Sequence, residues 1–329
     1  MAEHPSNPSR TPGAATRTDK RRSVYVSALE QAEQLFTSAG EADYASRPLL
    51  LFYGLSQAGR AIAAAGKAPK GAGWELRSHG IHTVNLAEPL HSLHIVQTDQ
   101  PDGSFTALSR LLGSPPIPTD PNGPGLTLGE LWTTIPQAAE RPLVNDAPAP
   151  LAFFVNDDEG RHPQVSGTLY NIPDRIFTSA TPGPDLDRLM SHFPQAAGYF
   201  VPRKPDSTAP YFQRALGIPG TSVVIRWDTG IPDATPEQRS EALTRITTTF
   251  PGIHYLVPPV AGNDRPLHPL MAWWALLFAL SMLACYEPAQ WVAHLDVNAS
   301  RHAVALEHVL DASLTAVPEL IHLAIEQVS

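Results

Sequence analysis

The sequence contains a single cysteine, Cys285, among 329 residues. One thiol cannot form an internal disulfide or supply a thiolate cage for a metal, so a disulfide-stabilised secreted fold is excluded. The first 22 residues also lack the apolar core of a signal peptide. We therefore expect a cytoplasmic protein whose residues 1–22 form a disordered polar tail outside the folded part.

Charge is scarce as well, because charged residues make up only 17% of the chain. The net charge is −9, and the tail carries five basic and two acidic side chains, so residues 23–329 carry a net charge of −12. Binding along a nucleic-acid backbone needs a clustered basic face. The composition therefore argues against broad DNA binding.

No apolar run is long enough to span a bilayer. The longest, residues 270–285, has 16 residues, whereas a membrane-spanning helix needs about 20. We expect instead a helix buried in a protein core, with Trp273, Leu277 and Leu280 among its buried residues.

Proline is abundant but unevenly placed, since 25 of the 34 prolines lie between Pro101 and Pro266. Proline interrupts helices, so long helices are expected only in the flanking segments. Helices are predicted at 23–40, with Gly40 as the C-cap, and at 49–65, 126–135 and 236–250. After Pro266 the chain is predicted to be helical to its end. In that segment Asn298 or Ser300 caps a helix that runs to Val317, and Pro318 opens the last helix.

Short apolar segments separated by Pro, Gly and Asp predict β-strands. These strands are expected at 93–97, 151–155, 167–172, 198–202, 221–227 and 254–257. The pattern predicts an α+β fold. The predicted helical core is discontinuous: it consists of residues 23–135, which include short strands, and residues 267–329. Between these two segments lies a proline-rich mixed insert, residues 136–266.

The common phosphate-binding loops are missing, because the chain has neither G-x-x-x-x-G-K-[ST] nor G-x-G-x-x-G. The sequence GLSQAG at 54–59 is similar to a nucleophile elbow, but its glycine spacing is wrong and it lies in a predicted helix. A serine-hydrolase site is therefore not expected.

The predicted helix at 49–65 has a polar side. At about 100° per residue, Tyr53, Ser56, Gln57 and Arg60 share one face, and the opposite face carries Leu51, Leu55, Ala58 and Ile62. One interpretation is a solvated face or a set of hydrogen bonds to neighbouring helices. The other is a ligand-binding surface, in which Arg60 holds a phosphate or carboxylate and Tyr53 and Gln57 donate further hydrogen bonds.

Two resemblances involve this helix. Residues 52–61, FYGLSQAGRA, resemble the second-helix signature of HEPN-type helical domains, with Gln57 where that signature has His. From about residue 24, most of the chain resembles the bacterial YaaC-like family, which is largely uncharacterised. The segments that carry this second resemblance are FYGLSQAGRA at 52–61, WELRSHG at 74–80 with His79, RW at 226–227 and WWALLFALSMLACYEPAQW at 273–291. In the last segment the family commonly has Arg at the position of Cys285.

The HEPN resemblance implies a catalytic pair. HEPN ribonucleases place an Arg four to six residues before a His, to activate a ribose 2′-hydroxyl and stabilise the charge that develops on phosphorus. Arg301 and His308 have this spacing. Both lie opposite the predicted apolar face of their helix, so the alternative is an exposed surface pair. A homodimer groove or the insert would have to cover that face to build a catalytic site.

Histidines are concentrated between residues 79 and 94. His79, His82, His91 and His94 form two H-x-x-H pairs, and imidazoles are good zinc ligands. Residues three apart in a strand point to opposite sides, however, so we expect no metal and no cofactor.

Two functions remain. The preferred one is a non-catalytic or regulatory cytoplasmic protein that binds a nucleotide, RNA or protein partner near Arg60. The alternative, implied by the HEPN resemblance, is a metal-independent ribonuclease of stress or phage defence that uses Arg301 and His308.

Overall fold

The fold was analysed in a computed structural model. It divides into two units: unit 1 comprises residues 1–128 and 270–329, and unit 2 comprises residues 129–269. The structure describes residues 18–67, 74–123, 125–145, 147–156, 160–202, 212–214 and 221–329.

The helices and strands of the described residues are numbered in chain order. The helices are α1 (Asp19–Glu41), α2 (Arg47–Ala65), α3 (Ser104–Leu111), α4 (Leu128–Trp132), α5 (Pro136–Ala139), α6 (Asp174–Phe177), α7 (Pro182–Met190), α8 (Pro236–Ile246), α9 (Pro269–Tyr286), α10 (Pro288–Leu295) and α11 (Ala303–Val328). The strands are β1 (Ile81–Val84), β2 (His94–Gln97), β3 (Leu126–Thr127), β4 (Leu151–Val155), β5 (Gln164–Ile172), β6 (Phe212–Arg214), β7 (Thr221–Asp228), β8 (Thr248–Phe250) and β9 (Ile253–Leu256). The predicted α+β class is confirmed.

Helix α1 begins earlier than the sequence pattern predicts. The Thr18 side chain accepts a hydrogen bond from the Arg21 backbone N–H and so caps the helix N-terminus. Residues 19–22 are therefore helical and do not belong to a tail, while residues 1–17 lie outside the described part. Gly40, the predicted C-cap, lies inside the helix, which ends at Glu41.

Helix α2 has the predicted extent to within two residues. Pro48 lies in its first turn and Gly66 follows its last residue. The predicted apolar face is buried, with Leu51, Leu55, Ala58 and Ile62 all 0% exposed. A Cβ on Gly59 would lie 2.6 Å from the Trp274 ring, so glycine permits the close approach of α2 and α9.

Helix α9 is a core helix. Trp273, Leu277 and Leu280 are fully buried, as predicted. Among the described residues, α9 is the one helix long and apolar enough to cross a membrane by length and composition, and 83% of it is buried inside the protein. Burial on nearly all sides explains its uniform hydrophobicity.

Helix α11 is a single helix, so the predicted break at Pro318 is wrong. Pro318 is exposed, while Val317, Leu320 and Ile321 beside it are buried. Core packing on both sides of the proline outweighs its missing hydrogen bond. The helix starts at Ala303, and its N-cap residue His302 makes no side-chain cap, but Ser300 Oγ accepts the backbone N–H of His302 at 3.1 Å.

Side chains join the two sequence segments of unit 1. Tyr44 and Arg47 both donate hydrogen bonds to the Asp311 carboxylate of α11, and Trp291 donates to the Ala45 carbonyl at 3.0 Å. Unit 1 also contains a small antiparallel sheet in the order β1-β2-β3. The segment predicted as one helix at 126–135 starts with β3 and continues as α4.

Unit 2 is built on a six-stranded antiparallel sheet in the order β6-β7-β5-β4-β9-β8. One face of the sheet is buried under α7 and α8, with Phe153, Leu169, Ile225 and Leu243 in the shared core. Four predicted strands correspond to β4, β5, β7 and β9. Residues 198–202 form no strand and contribute only a bridge between Phe200 and Arg226.

Candidate functional site

Arg60 of α2 is held by the segment that precedes β1. Its Nη1 atom donates a hydrogen bond of 2.9 Å to the Leu76 carbonyl. That segment is itself fixed, because backbone N–H groups of Ser104 and Phe105 donate to the Ser78 and His79 carbonyls at 2.7 and 2.9 Å. The guanidinium therefore has a defined position.

Among the described residues, Arg60 has no acidic counterpart within ion-pair distance. The side chain is half-buried, and no described carboxylate lies within 4.0 Å of it. A guanidinium carries five N–H donors, of which Leu76 takes one. The remaining donors are suited to an oxyanion.

His79 lies beside Arg60. Its ring packs against Phe52 and Phe278, with centroid distances of 5.4 and 5.8 Å, and the residue as a whole is exposed. Desolvation by this packing, followed by the positive charge of Arg60, lowers the pKa of His79. A neutral imidazole beside a guanidinium adds a polar group without adding repulsion.

The turn at Gly80 places His79. Gly80 has a φ of +72°, and a Cβ there would lie 2.8 Å from the Gly103 backbone. Only glycine accepts both this conformation and this contact without strain. The HG sequence at 79–80 thus fixes the imidazole against α2.

Tyr53 and Gln57 complete the same side of α2. Tyr53 is 50% exposed and contacts Phe52 at a centroid distance of 5.8 Å, and Gln57 is half-buried. Ser56, predicted for this side, is buried. The structure thus brings Arg60 and His79 together and leaves Tyr53 and Gln57 along one accessible strip. We call Tyr53, Gln57, Arg60 and His79 the Arg60 surface.

Arg301 and His308 lie in different surroundings. Arg301 precedes α11, is exposed and donates from Nε to His302 Nε2 at 3.2 Å. His308 is half-buried within the helix. The helical projection of both residues assumed a helix that starts before Arg301, and this assumption is wrong.

Arg301 instead belongs to a histidine cluster. His294 and His302 have ring centroids 6.4 Å apart, and His91 is close enough to act on His302 electrostatically. Burial first, then the charges of Arg301, His294 and His91, lower the pKa of His302. His91 Nδ1 and His294 Nε2 are buried and have no hydrogen-bond partner among the described residues. Sequence reasoning missed His294 and His302, because no spacing rule relates them to His91.

The histidines at 79–94 therefore have separate environments. His79 packs on aromatic rings, His91 joins the cluster, and His82 and His94 lie on adjacent strands β1 and β2. Within the described ranges, no group of three His, Cys, Asp or Glu side chains is arranged to hold a metal ion.

Unit 2 has a cavity that the sequence did not indicate. Its volume is about 240 Å³, and it lies between α8 and strands β4, β5 and β9. The residues that line it are Val155, Asn156, His162, Gln164, Val165, Ser166, Pro236, Arg239, Ser240, Leu243 and His254.

The comparisons with known proteins give one family and no individual relative. No curated protein and no solved structure matches this chain. The sequence model described as YaaC-like Protein matches residues 6–325, which is nearly the whole chain. The protein therefore belongs to the YaaC-like family.

Proposed function

We propose that this protein is a binding protein that recognises a nucleotide unit, free or at an RNA end, through the Arg60 surface. The observation that carries the proposal is the half-buried Arg60 guanidinium, which is fixed by Leu76 and has no described carboxylate within ion-pair distance. A partly desolvated cation without a counter-ion favours a ligand that supplies negative charge.

The placement of Tyr53 supports a nucleotide rather than a bare anion. Tyr53 and Arg60 are seven residues apart on one helix, which corresponds to about 10.5 Å along its axis. A phosphate on Arg60 and a base stacked on the exposed Tyr53 ring would span this strip, with Gln57 between them. Stacking of a base on an aromatic side chain contributes about 1–3 kcal/mol.

The binding role can be separated from folding, because α2 packs through its other face. Leu51, Leu55 and Ile62 are fully buried, and Tyr53 is half exposed. Substitutions on the Arg60 surface should therefore reduce binding without unfolding unit 1. Lysine at position 60 cannot reproduce the planar fork of a guanidinium.

The test is calorimetric titration of the full chain with a nucleoside 5′-monophosphate, and with the matching nucleoside as the ligand without phosphate. Arg60→Ala should weaken nucleotide binding by about 10–100-fold, the scale of a lost hydrogen bond to a charged group, and Arg60→Lys should restore little. Arg110→Ala, on the exposed side of α3, is the matched control and should leave binding unchanged. Equal affinity for nucleoside and nucleotide would contradict the proposal.

The same samples address the ribonuclease alternative and a protein partner. Metal-free chain is incubated with single-stranded RNA beside His308→Ala and Arg301→Ala variants, since loss of a general acid or base reduces cleavage by about 100-fold or more. Fragments that depend on both residues would favour the HEPN-type ribonuclease. If the chain neither binds the nucleotide nor cleaves RNA, a protein partner becomes the better hypothesis for the Arg60 surface.

A further inference from the structure

The three rings of the histidine cluster come from three different segments of unit 1. His91 lies in the 3-10 turn Leu90–Ser92 between β1 and β2, His294 lies in the last turn of α10, and His302 is the N-cap residue of α11. All three residues are half-buried. The cluster therefore lies where the N-terminal and the C-terminal segments of unit 1 meet.

His302 is neutral when it makes its contact with Arg301. The Nε–H of Arg301 is always a donor and lies 3.2 Å from His302 Nε2, so this nitrogen accepts and carries no proton. Protonation of the ring at Nε2 would break the hydrogen bond and place a second positive charge beside the guanidinium. Burial, followed by the charge of Arg301, lowers the pKa of His302, and burial lowers the pKa of His294. The folded cluster thus favours neutral rings.

Among the described residues, no carboxylate offsets a positive charge on the cluster. The elements around it carry the carboxylates of Asp43, Glu88, Glu287, Asp296 and Glu307. None of them lies within 4.0 Å of a cluster ring, and none acts on the pKa of His294 or His302. The other groups on these elements that are positive or can become so are Arg47, Arg301 and His308. Protonated rings of His294 and His302, with centroids 6.4 Å apart, would therefore repel each other.

Helix α10 is the element that this repulsion can release. It has eight residues, of which only Trp291 is buried, and no side chain caps its N-terminus. Trp291 donates to the Ala45 carbonyl at 3.0 Å, and Gln290 donates to the Glu88 carbonyl at 3.5 Å. A short helix with few buried contacts opens at a low cost in free energy. Because His294 lies in its last turn, opening of this helix is coupled to the charge of the cluster.

We propose that the histidine cluster is a pH-sensitive latch for α10. While the rings are neutral, they hold α10 against the turn Leu90–Ser92 and the start of α11. Protonation of His294 and His302 opens α10 and exposes Trp291, while the rest of unit 1 stays folded. None of these residues belongs to the Arg60 surface, so the latch does not depend on nucleotide binding.

The test is amide hydrogen exchange of the full chain, measured by mass spectrometry from about pH 7.5 to about pH 5. Each exchange rate is divided by the intrinsic rate at the same pH, and the protection of α10 is compared with that of α9. Protection of α10 should fall about tenfold or more, because each ring whose pKa is lower in the closed state favours the open state as the pH falls. Protection of α9, whose Trp273 and Leu277 are fully buried, should stay unchanged.

Variants separate the latch from a general effect of acid. His302→Gln keeps a neutral acceptor for Arg301 at every pH, so it should retain the protection of α10 at pH 7.5 and abolish most of the fall at pH 5. His322→Gln is the matched control, since this exposed histidine of α11 pairs with Glu326, and it should keep the full response. If His302→Gln does not fold, His294→Gln should show the same loss of response. Unchanged protection of α10 down to pH 5, an equal loss of protection in α9, or a wild-type response in the folded histidine variant would overturn the proposal.

Discussion

Arg21 shows that the composition of a segment can give a wrong prediction for a single residue within it. It lies in a segment rich in Pro, Ser and Arg that resembles a solvated tail. In the fold it is buried and donates to the Ala63 and Gly66 carbonyls at the end of α2. Helix C-termini leave carbonyls without partners, and a cation there is favourable. The partner carbonyls are more than 40 residues away, so composition near Arg21 cannot reveal the contact.

His302 allows a prediction at the same scale. Its pKa is lowered by burial and then by Arg301, so Arg301→Gln should raise the pKa of His302 part of the way towards the ordinary value of about 6.5. A pH titration of the histidine ring signals measures this value. Arg110→Gln, remote in sequence and exposed, serves as the control.

The lowered pKa also fixes how stability changes with pH. The pKa of His302 is lower in the folded chain than in the unfolded chain, so below about pH 6.5 the unfolded chain binds a proton at this histidine more readily. The free energy of unfolding therefore decreases as the pH falls from about 6.5 towards the folded-state pKa. His294, whose pKa burial also lowers, acts in the same direction. An unchanged His302 pKa in Arg301→Gln would show that Arg301 does not act on this ring.

Helix α9 gives the clearest prediction for a whole element. Leu277→Ala should destabilise the protein by about 2–5 kcal/mol, because it removes a fully buried side chain and leaves a cavity. Leu323→Ala on α11 is the matched control, since its side chain is 38% exposed, and should cost much less. Urea denaturation followed by tryptophan fluorescence measures both. Similar losses in the two variants would contradict the assignment of α9 to the core.

Helices and strands could be predicted from the sequence where a single local signal determines their ends or their type. Pro48 and Gly66 bracket α2, and the apolar segment 151–155 is β4. The pattern failed where tertiary contacts decide. Pro318 does not end α11, because the residues around it are buried, and the helical pattern predicted at 236–250 ends at Ile246, after which Thr248–Phe250 pairs with β9. Helices α3 and α7 were missed in segments dominated by turn residues.

At the scale of the molecule, the sequence predicts a discontinuous architecture, because proline separates the chain into helical flanks and a β-rich middle. The unit boundaries fall at 128/129 and 269/270, against predicted boundaries at 135/136 and 266/267. Helical spacing predicts that Tyr53, Gln57 and Arg60 share one side of α2, whereas the position of His79 depends on the turn at Gly80, which helical spacing does not reveal. The histidine cluster and the unit 2 cavity were not predictable, because each combines segments far apart in sequence.

The charge of the whole chain makes a last prediction about nucleic acid. With a net charge of −9, we expect no broad basic face, and the Arg60 surface provides one arginine for one phosphate. Affinity for 5′-phosphorylated RNA should therefore depend weakly on salt, with a slope of log K against log salt of about −0.7, the value for one phosphate contact on a single strand. Affinity should also be similar for strands of about 4 and about 20 nucleotides, since additional phosphates find no additional cations. Fluorescence anisotropy over a series of salt concentrations measures both quantities, with Arg60→Ala as the control. A slope several times steeper, or affinity that rises with strand length, would show that the protein binds along the RNA backbone rather than at a single nucleotide unit.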